Sequence, residues 1–279
     1  MDWIHVILNL VGVLLWLSWR ARSPNSSLRT SGVLLLSTLR RTEMVSPMRW
    51  WFLGGLIALL FGRSLAYWRF GGNVPWSPVV PLGPVTLAFR CDRLDRMLVF
   101  SLASFGLWLV KFYSCLLFLS VVNRGQEGDP WHLMVRRYLG WMDRWPAAAR
   151  LLLPGLFMGL VWVCVGPLLA RWGWHPARSF SVTLQQALLV GLAAFLAWEY
   201  LIVAILGVHL VSSYVYLGKA PLWNYISTAA RRMLSFVEWL PLRVAGADLA
   251  PVAGIALILL VCEISARWLP ALYRNLPGR

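Results

Sequence analysis

Charge is what this chain has least of. Only 13% of its residues are charged and 59% are apolar, whereas an ordinary soluble domain carries roughly 25% charge. The mean hydropathy of +0.66 points the same way, so a water-soluble globular domain is excluded. Acids are scarcest, 11 against 26 basic residues, and Lys111 and Lys219 are the only lysines. The net charge of +15 would suit nucleic acid, but the arginines are not gathered into one hydrophilic domain. They stand between apolar runs, where juxtamembrane cations meet anionic head groups. Nucleic acid is therefore set aside as a partner.

Four cysteines, Cys91, Cys115, Cys164 and Cys262, make no C-x-x-C. Three lie inside apolar runs and read as small hydrophobes, so neither a disulfide framework nor a zinc site follows. The chain lacks H-x-x-x-H, G-x-x-x-x-G-K, G-x-S-x-G and any paired acidic metal motif. Its four histidines are His5, His132, His175 and His209. Only His209 is close to the end of a long apolar run, so two haem ligands at equal depth are not offered. No catalytic residue, metal site or cofactor is expected, and enzyme is the weakest class.

What the chain does have is length of apolar sequence. Six runs, at about 3–19, 51–68, 98–122, 151–170, 184–208 and 250–270, suit a bilayer, which takes about 20 helical residues. The fifth stays apolar to Leu217, longer than a bilayer needs, so its end is expected to tilt or project. Eighteen tryptophans are several times the usual share. Many flank the runs: Trp16, Trp19, Trp50, Trp51, Trp68, Trp131, Trp145, Trp172, Trp174, Trp223 and Trp268. Codon bias explains their number, and the preference of indole for the head-group boundary explains their placement. The first run starts almost at once, with Arg20 and Arg22 behind it, the reverse of a secretory signal, so it reads as an uncleaved anchor.

One plan recurs three times: an apolar run, an amphipathic stretch with an Arg-Arg pair, a proline, another apolar run. The pairs are Arg40–Arg41, Arg136–Arg137 and Arg231–Arg232, spaced by 96 and 95 residues, with Pro47, Pro146 and Pro241 after them. In the second stretch Trp131, Met134, Val135, Tyr138, Leu139, Met142 and Trp145 share a helix face, with His132, Arg136, Arg137, Asp143 and Arg144 off it. In the third, Leu222, Ile226, Ala229, Ala230, Met233, Val237 and Leu240 oppose Asn224, Ser227, Thr228, Arg231, Ser235 and Glu238. Leu28 to Leu39 is a weaker copy. Such helices lie in the interface plane, with Arg136, Arg137, Arg231 and Arg232 toward anionic lipid; the alternative is packing on the protein's own core. Each proline ends a surface helix and lets the chain turn inward. Pro75, Pro78, Pro81 and Pro84 forbid a continuous helix over 74–89, which is expected to be an external or interfacial loop.

Arg and Lys number six, five and four in segments 20–50, 123–150 and 218–244, against four, two and two in 69–97, 171–183 and the tail after 270. The richer set belongs in the cytoplasm, with both termini outside.

The stretch from Leu240 through Pro241, Gly246, Asp248 and Pro251 leads straight into an apolar helix. It resembles the closing motif of YggT family membrane proteins, in which a proline-rich turn, a glycine, then Asp, a small residue and Pro open a helix. Tyr214 to Gly218, Pro221 and Trp223 look like that family's preceding helix end and connection. The resemblance covers about 200–265. A degenerate copy over about 105–170 keeps Asp129, Pro130, Trp131, Pro146 and Pro154 but lacks Gly-x-Asp, and residues 1–97 match weakly. The resemblance implies a small multi-pass membrane protein without known catalytic residues. Relatives are associated with cell division and nucleoid distribution, osmotic tolerance, and maturation of photosynthetic complexes, including haem attachment to a b-type cytochrome.

Charges inside apolar runs are the sharpest candidates, because burying one is costly unless it is paired or hydrated. Lys111 is expected to pair with Glu199 or Glu263, as a proton or cation path or simply to orient helices. Arg63, near a run's end, is expected to snorkel outward. Asp248 should cap the last helix, with Pro251 in its first turn, and Gln185–Gln186 read as polar end residues.

The expectation is an all-α membrane protein with about six transmembrane helices in repeated hairpins joined by amphipathic interfacial helices. It divides into 1–97, an N-terminal hairpin and proline-rich loop; 98–183, a first YggT-like hairpin; and 184–279, a second. The expected function is a non-enzymatic scaffold or assembly factor in a bacterial inner membrane. Its partners are anionic lipids, other membrane proteins and, as a homo-oligomer, copies of itself. The alternative is an ion-coupled or passive pore lined by Glu199, Glu263 and Lys111. Ala194, Leu196, Ile202, Val203 and Leu206 offer no polar stripe for it.

Overall fold

The computed structural model describes residues 2–21, 48–71, 77–125, 129–172, 179–215, 221–235, 243–244 and 247–276. The first amphipathic stretch with Arg40–Arg41 and Pro47, Lys219, Pro241 and Gly246 fall outside them. The architecture is all-α. Helices α1 (Asp2–Ala21), α2 (Met48–Gly71), α3 (Leu94–Val122), α5 (Ala147–Arg171) and α9 (Ala250–Arg274) each have the length and apolarity of a span. The sixth span, Phe180–Tyr214, consists of α6 (Phe180–Ala193) and α7 (Trp198–Tyr214) joined by a 3₁₀ turn, Ala194–Ala197. Each of the six expected runs lies within one of these. The shorter α4 (Pro130–Leu139) and α8 (Pro221–Leu234) occupy the second and third amphipathic stretches.

Only 11% to 28% of each span is buried inside the protein. Leu156, Leu160 and Leu188 all lie on the outer surface. Water would not tolerate so much contiguous exposed hydrocarbon, and a bilayer does. The chain is a multi-pass membrane protein.

Contacts divide the chain into two units. The first comprises the chain to Val80 together with Ala88–Leu109; the second comprises Pro81–Leu87 and Val110 onward. In the first unit, α1 packs along α2, with Val13, Leu56, Met97, Phe100 and Phe105 buried. Gly12 permits this, since a Cβ there would fall 2.9 Å from the Phe105 ring.

The same core is also polar. Arg63 is only 4% exposed, so it does not snorkel outward as expected. Its Nη1 donates to Asn9 Oδ1 (2.8 Å), and Nη2 reaches Ser104 Oγ and His5 Nδ1, each at 3.2 Å. Tyr67 and Phe100 present their rings to the guanidinium at 5.4 and 5.1 Å. Helices α1 and α3 supply acceptors together, which one snorkelling chain at a lipid boundary would lack. That is why inward burial wins.

In the second unit the tightest helix pair is α5 with α6. A Cβ on Gly191 would meet Gly155 O at 2.7 Å, and one on Gly159 would meet Ala187 O at 3.1 Å. Gly155 and Gly159 face Ala187 and Gly191, two small-x-x-x-small steps that let backbones touch where lipid gives no hydrophobic drive. Helix α9 packs along α7, and α8 crosses both. Strands β1 (Val79–Pro81) and β2 (Thr86–Ala88) form a hairpin rather than an open loop. Leu82 N–H donates to Val85 O at 2.8 Å, and Gly83 takes φ +84°. A Cβ on Gly83 would collide with Ala193, so the hairpin apex sits against the last residue of α6, beside the 3₁₀ turn.

Candidate functional site

The densest set of charged bonds in the second unit lies where α3 ends. A helix leaves its last carbonyls without intrahelical partners. Arg232 of α8 fills that need, donating from Nη1 to Val122 O (2.8 Å) and Arg124 O (2.6 Å). Helix α4 starts cleanly: the Asp129 carboxylate accepts from Trp131 N–H at 2.8 Å, and Pro130 occupies the first turn, where no N–H is needed. Gly140, at φ +60°, ends it, and a 3₁₀ turn (Gly140–Arg144) brings Asp143 back beneath α4. Asp143 accepts from Arg136 Nε at 2.6 Å and Arg150 Nη1 at 2.8 Å, and the same Nη1 donates to Ser120 Oγ at 3.0 Å.

One carboxylate therefore ties α3, α4 and α5 together. Arg150 is 6% exposed, and a cation so deep is tolerable because it is both paired and hydrogen-bonded. Around it, Leu117 of α3 packs on Val135 and Leu139 of α4. Tyr225, Ala229, Ala230 and Leu234 of α8 are buried, the last three against Ile205 and Leu206 of α7. His132 is buried too, contrary to its expected place on the polar face. Burial, and then Arg136, hold its imidazole below the ordinary value. Burial pushes the Tyr225 phenol up.

All four of the expected lipid-facing arginines, Arg136, Arg137, Arg231 and Arg232, are exposed, and two of them also bond within the protein, Arg136 to Asp143 and Arg232 to the end of α3. The two surface helices pack on the protein's own core, because their apolar faces meet α3 and α7 before they could meet lipid.

The intramembrane charges are not brought together as expected. Glu263 bridges Arg267 at 2.6 Å, one turn along the same helix, with both side chains mostly exposed. Lys111 is exposed on α3 and has no ion pair among the described residues. Glu199 is half-buried in the first turn of α7, within hydrogen-bonding reach of the Cys262 thiol on α9. Beside it, Trp198 Nε1 donates to Ser114 Oγ at 2.7 Å. Asp248 does not occupy the cap position of α9. That residue is Leu249, and Asp248 pairs as backbone with Arg243 in the ladder of β3 (Arg243–Val244) and β4 (Ala247–Asp248). Pro251 is buried in the first turn of α9. Gln186 is not an end residue but a buried one, accepting from Trp162 Nε1 at 3.3 Å.

Sequence reasoning missed Asp143 and Arg150. The available signal was spacing: Arg136, Asp143 and Arg150 stand seven residues apart, about two helical turns. It also missed Gly155-x-x-x-Gly159, a plain small-residue motif. Among the described residues no three His, Cys, Asp or Glu gather closely enough to hold a metal ion. No family model, curated protein or solved structure matches the chain.

Proposed function

We propose that this chain is a non-enzymatic membrane scaffold or assembly factor of the YggT type, acting through helix contacts with other membrane proteins and with anionic lipid. It would reside in a bacterial inner membrane with both termini outside. One observation carries the reading. Glu263 and Arg267 form an exposed ion pair on α9, a spanning helix that is 11% buried. Ionised groups within a bilayer nearly always face protein or water, because hydrocarbon solvates them poorly. A charged pair on an outward face marks that face as one covered by protein when the assembly is complete. Leu260 and Ile264 beside it are exposed and supply apolar contact.

The test places a photo-cross-linking residue at Leu260 or Ile264 of the full chain in native membranes. A discrete protein adduct, diminished by Glu263→Gln with Arg267→Met, supports the reading. Adducts to lipid alone overturn it.

A second reading, an ion-coupled or passive transport pore, draws on a different observation. The span Phe180–Tyr214 is interrupted by its 3₁₀ turn where the hairpin apex sits, and Glu199 lies just past Trp198 at the start of α7. Interrupted helices and non-helical backbone at such depth often line transport sites. Selective ion flux in liposomes, abolished by Glu199→Gln, would put this reading first.

A further inference from the structure

We infer that the Arg63 cluster of the first unit is a binding site for a phosphate-type monoanion. The reasoning begins with charge. Arg63 is 4% exposed, its guanidinium is permanently charged, and among the described residues it has no carboxylate partner. Its acceptors, Asn9 Oδ1, Ser104 Oγ, His5 Nδ1 and the Tyr67 hydroxyl, carry no formal negative charge. A buried cation without a counter-charge is strongly unfavourable in a membrane. The cluster carries one positive charge more than its neighbours answer.

Geometry says where the anion goes. Nη1 is held by Asn9 at 2.8 Å, which fixes the plane of the guanidinium. The opposite edge, Nε with Nη2, is the fork that binds an oxyanion through two parallel N–H groups. There Nε is buried with no acceptor, Nη2 lies 3.2 Å from both Ser104 and His5, and the Tyr67 hydroxyl bonds the same guanidinium. An oxyanion on that edge would take the Nε proton and shorten the Nη2 bond. The Tyr67 hydroxyl stands 2.8 Å from His5 Nδ1, which can accept its proton.

Depth fits a head group. His5 lies three residues inside the start of α1, and Arg63 eight residues from the end of α2. At 1.5 Å per residue those two residues lie roughly 5 and 12 Å below their helix ends, and Ser104, farther into α3, lies roughly 15 Å below its start. A phosphodiester carries the single charge required. A lipid phosphate and free phosphate share this chemistry. The site is built from α1, α2 and α3 and does not depend on the assembly role proposed above.

The test uses the full chain, delipidated in detergent, with three probes: inorganic phosphate, dihexanoyl phosphatidylglycerol and the phosphate-free dihexanoyl glycerol. Thermal unfolding and native mass spectrometry read binding. We expect phosphatidylglycerol to stabilise the wild type and to be retained as one adduct, with affinity at least tenfold weaker in Arg63→Met. Inorganic phosphate acting as well as the lipid would assign the anion to free phosphate. Should Arg63→Met not fold, Arg63→Lys, a point charge without the fork, must weaken binding at least threefold. No response of the wild type to either phosphate probe overturns the site. So does equal response to dihexanoyl glycerol, or equal binding by the folded variants.

Discussion

Two buried arginines show two solutions to one problem. Arg150 in the second unit meets a carboxylate: Asp143 at 2.8 Å, with Ser120 alongside. Arg63 in the first unit meets an amide, a hydroxyl, an imidazole and two aromatic faces. Both lie at 6% exposure or below. The first is closed electrostatically and serves as a clasp joining three helices. The second is satisfied in hydrogen bonds on one edge and unsatisfied in charge. A complete ion pair reads as architecture, whereas an incomplete one reads as a place for something to bind.

The sharpest way to break this contrast is Asp143→Asn. It leaves Arg150 buried without a counter-charge and should cost about 3–5 kcal/mol of unfolding free energy. Adding Arg150→Met should recover more than half of that in denaturant unfolding in micelles. A loss below about 1 kcal/mol would mean that the two arginines are held alike.

A smaller effect should come from pH. Folding holds His132 below its ordinary value, by burial first and Arg136 next, with Asp143, Asp129 and Arg150 also facing it. The unfolded chain therefore takes up the proton first, near pH 6.5. Stability is full above that point and is lost as pH falls toward the lower folded value. Unfolding midpoints measured from about pH 7 to about pH 5 should decline, and His132→Leu should flatten the decline. An unchanged slope in that variant would remove His132 from the account.

The smallest effect should belong to Arg232, which is exposed and bonds only carbonyls. Arg232→Ala should cost about 1 kcal/mol and should speed amide exchange at the end of α3 while leaving α5 unchanged. Protection lost equally across the second unit would show that Arg232, rather than Asp143, is the clasp.

Much of the fold was legible before the structure, and much of the site was not. The spans were readable because hydrocarbon demands long apolar runs whatever packs beside them. Helices α4 and α8 were readable because amphipathic periodicity is local. What those faces would touch was not local, and the core took them. Arg63 misled because its distance from a helix end allows snorkelling, while the acceptors that turned it inward come from α1 and α3, 54 and 41 residues away in sequence. Glu263 was paired with the wrong cation because Arg267, one turn on, is nearer than anything another helix offers.

Sequence by itself determined the solvent, the number of spans and the position of the surface helices, since each follows from residues within one or two turns of each other. The tertiary structure alone decided which charges meet: Arg150 with Asp143, Arg232 with the end of α3, Arg63 with no acid among the described residues. Electrostatic pairing depends on distances of a few ångströms between segments far apart along the chain, and no local pattern encodes them.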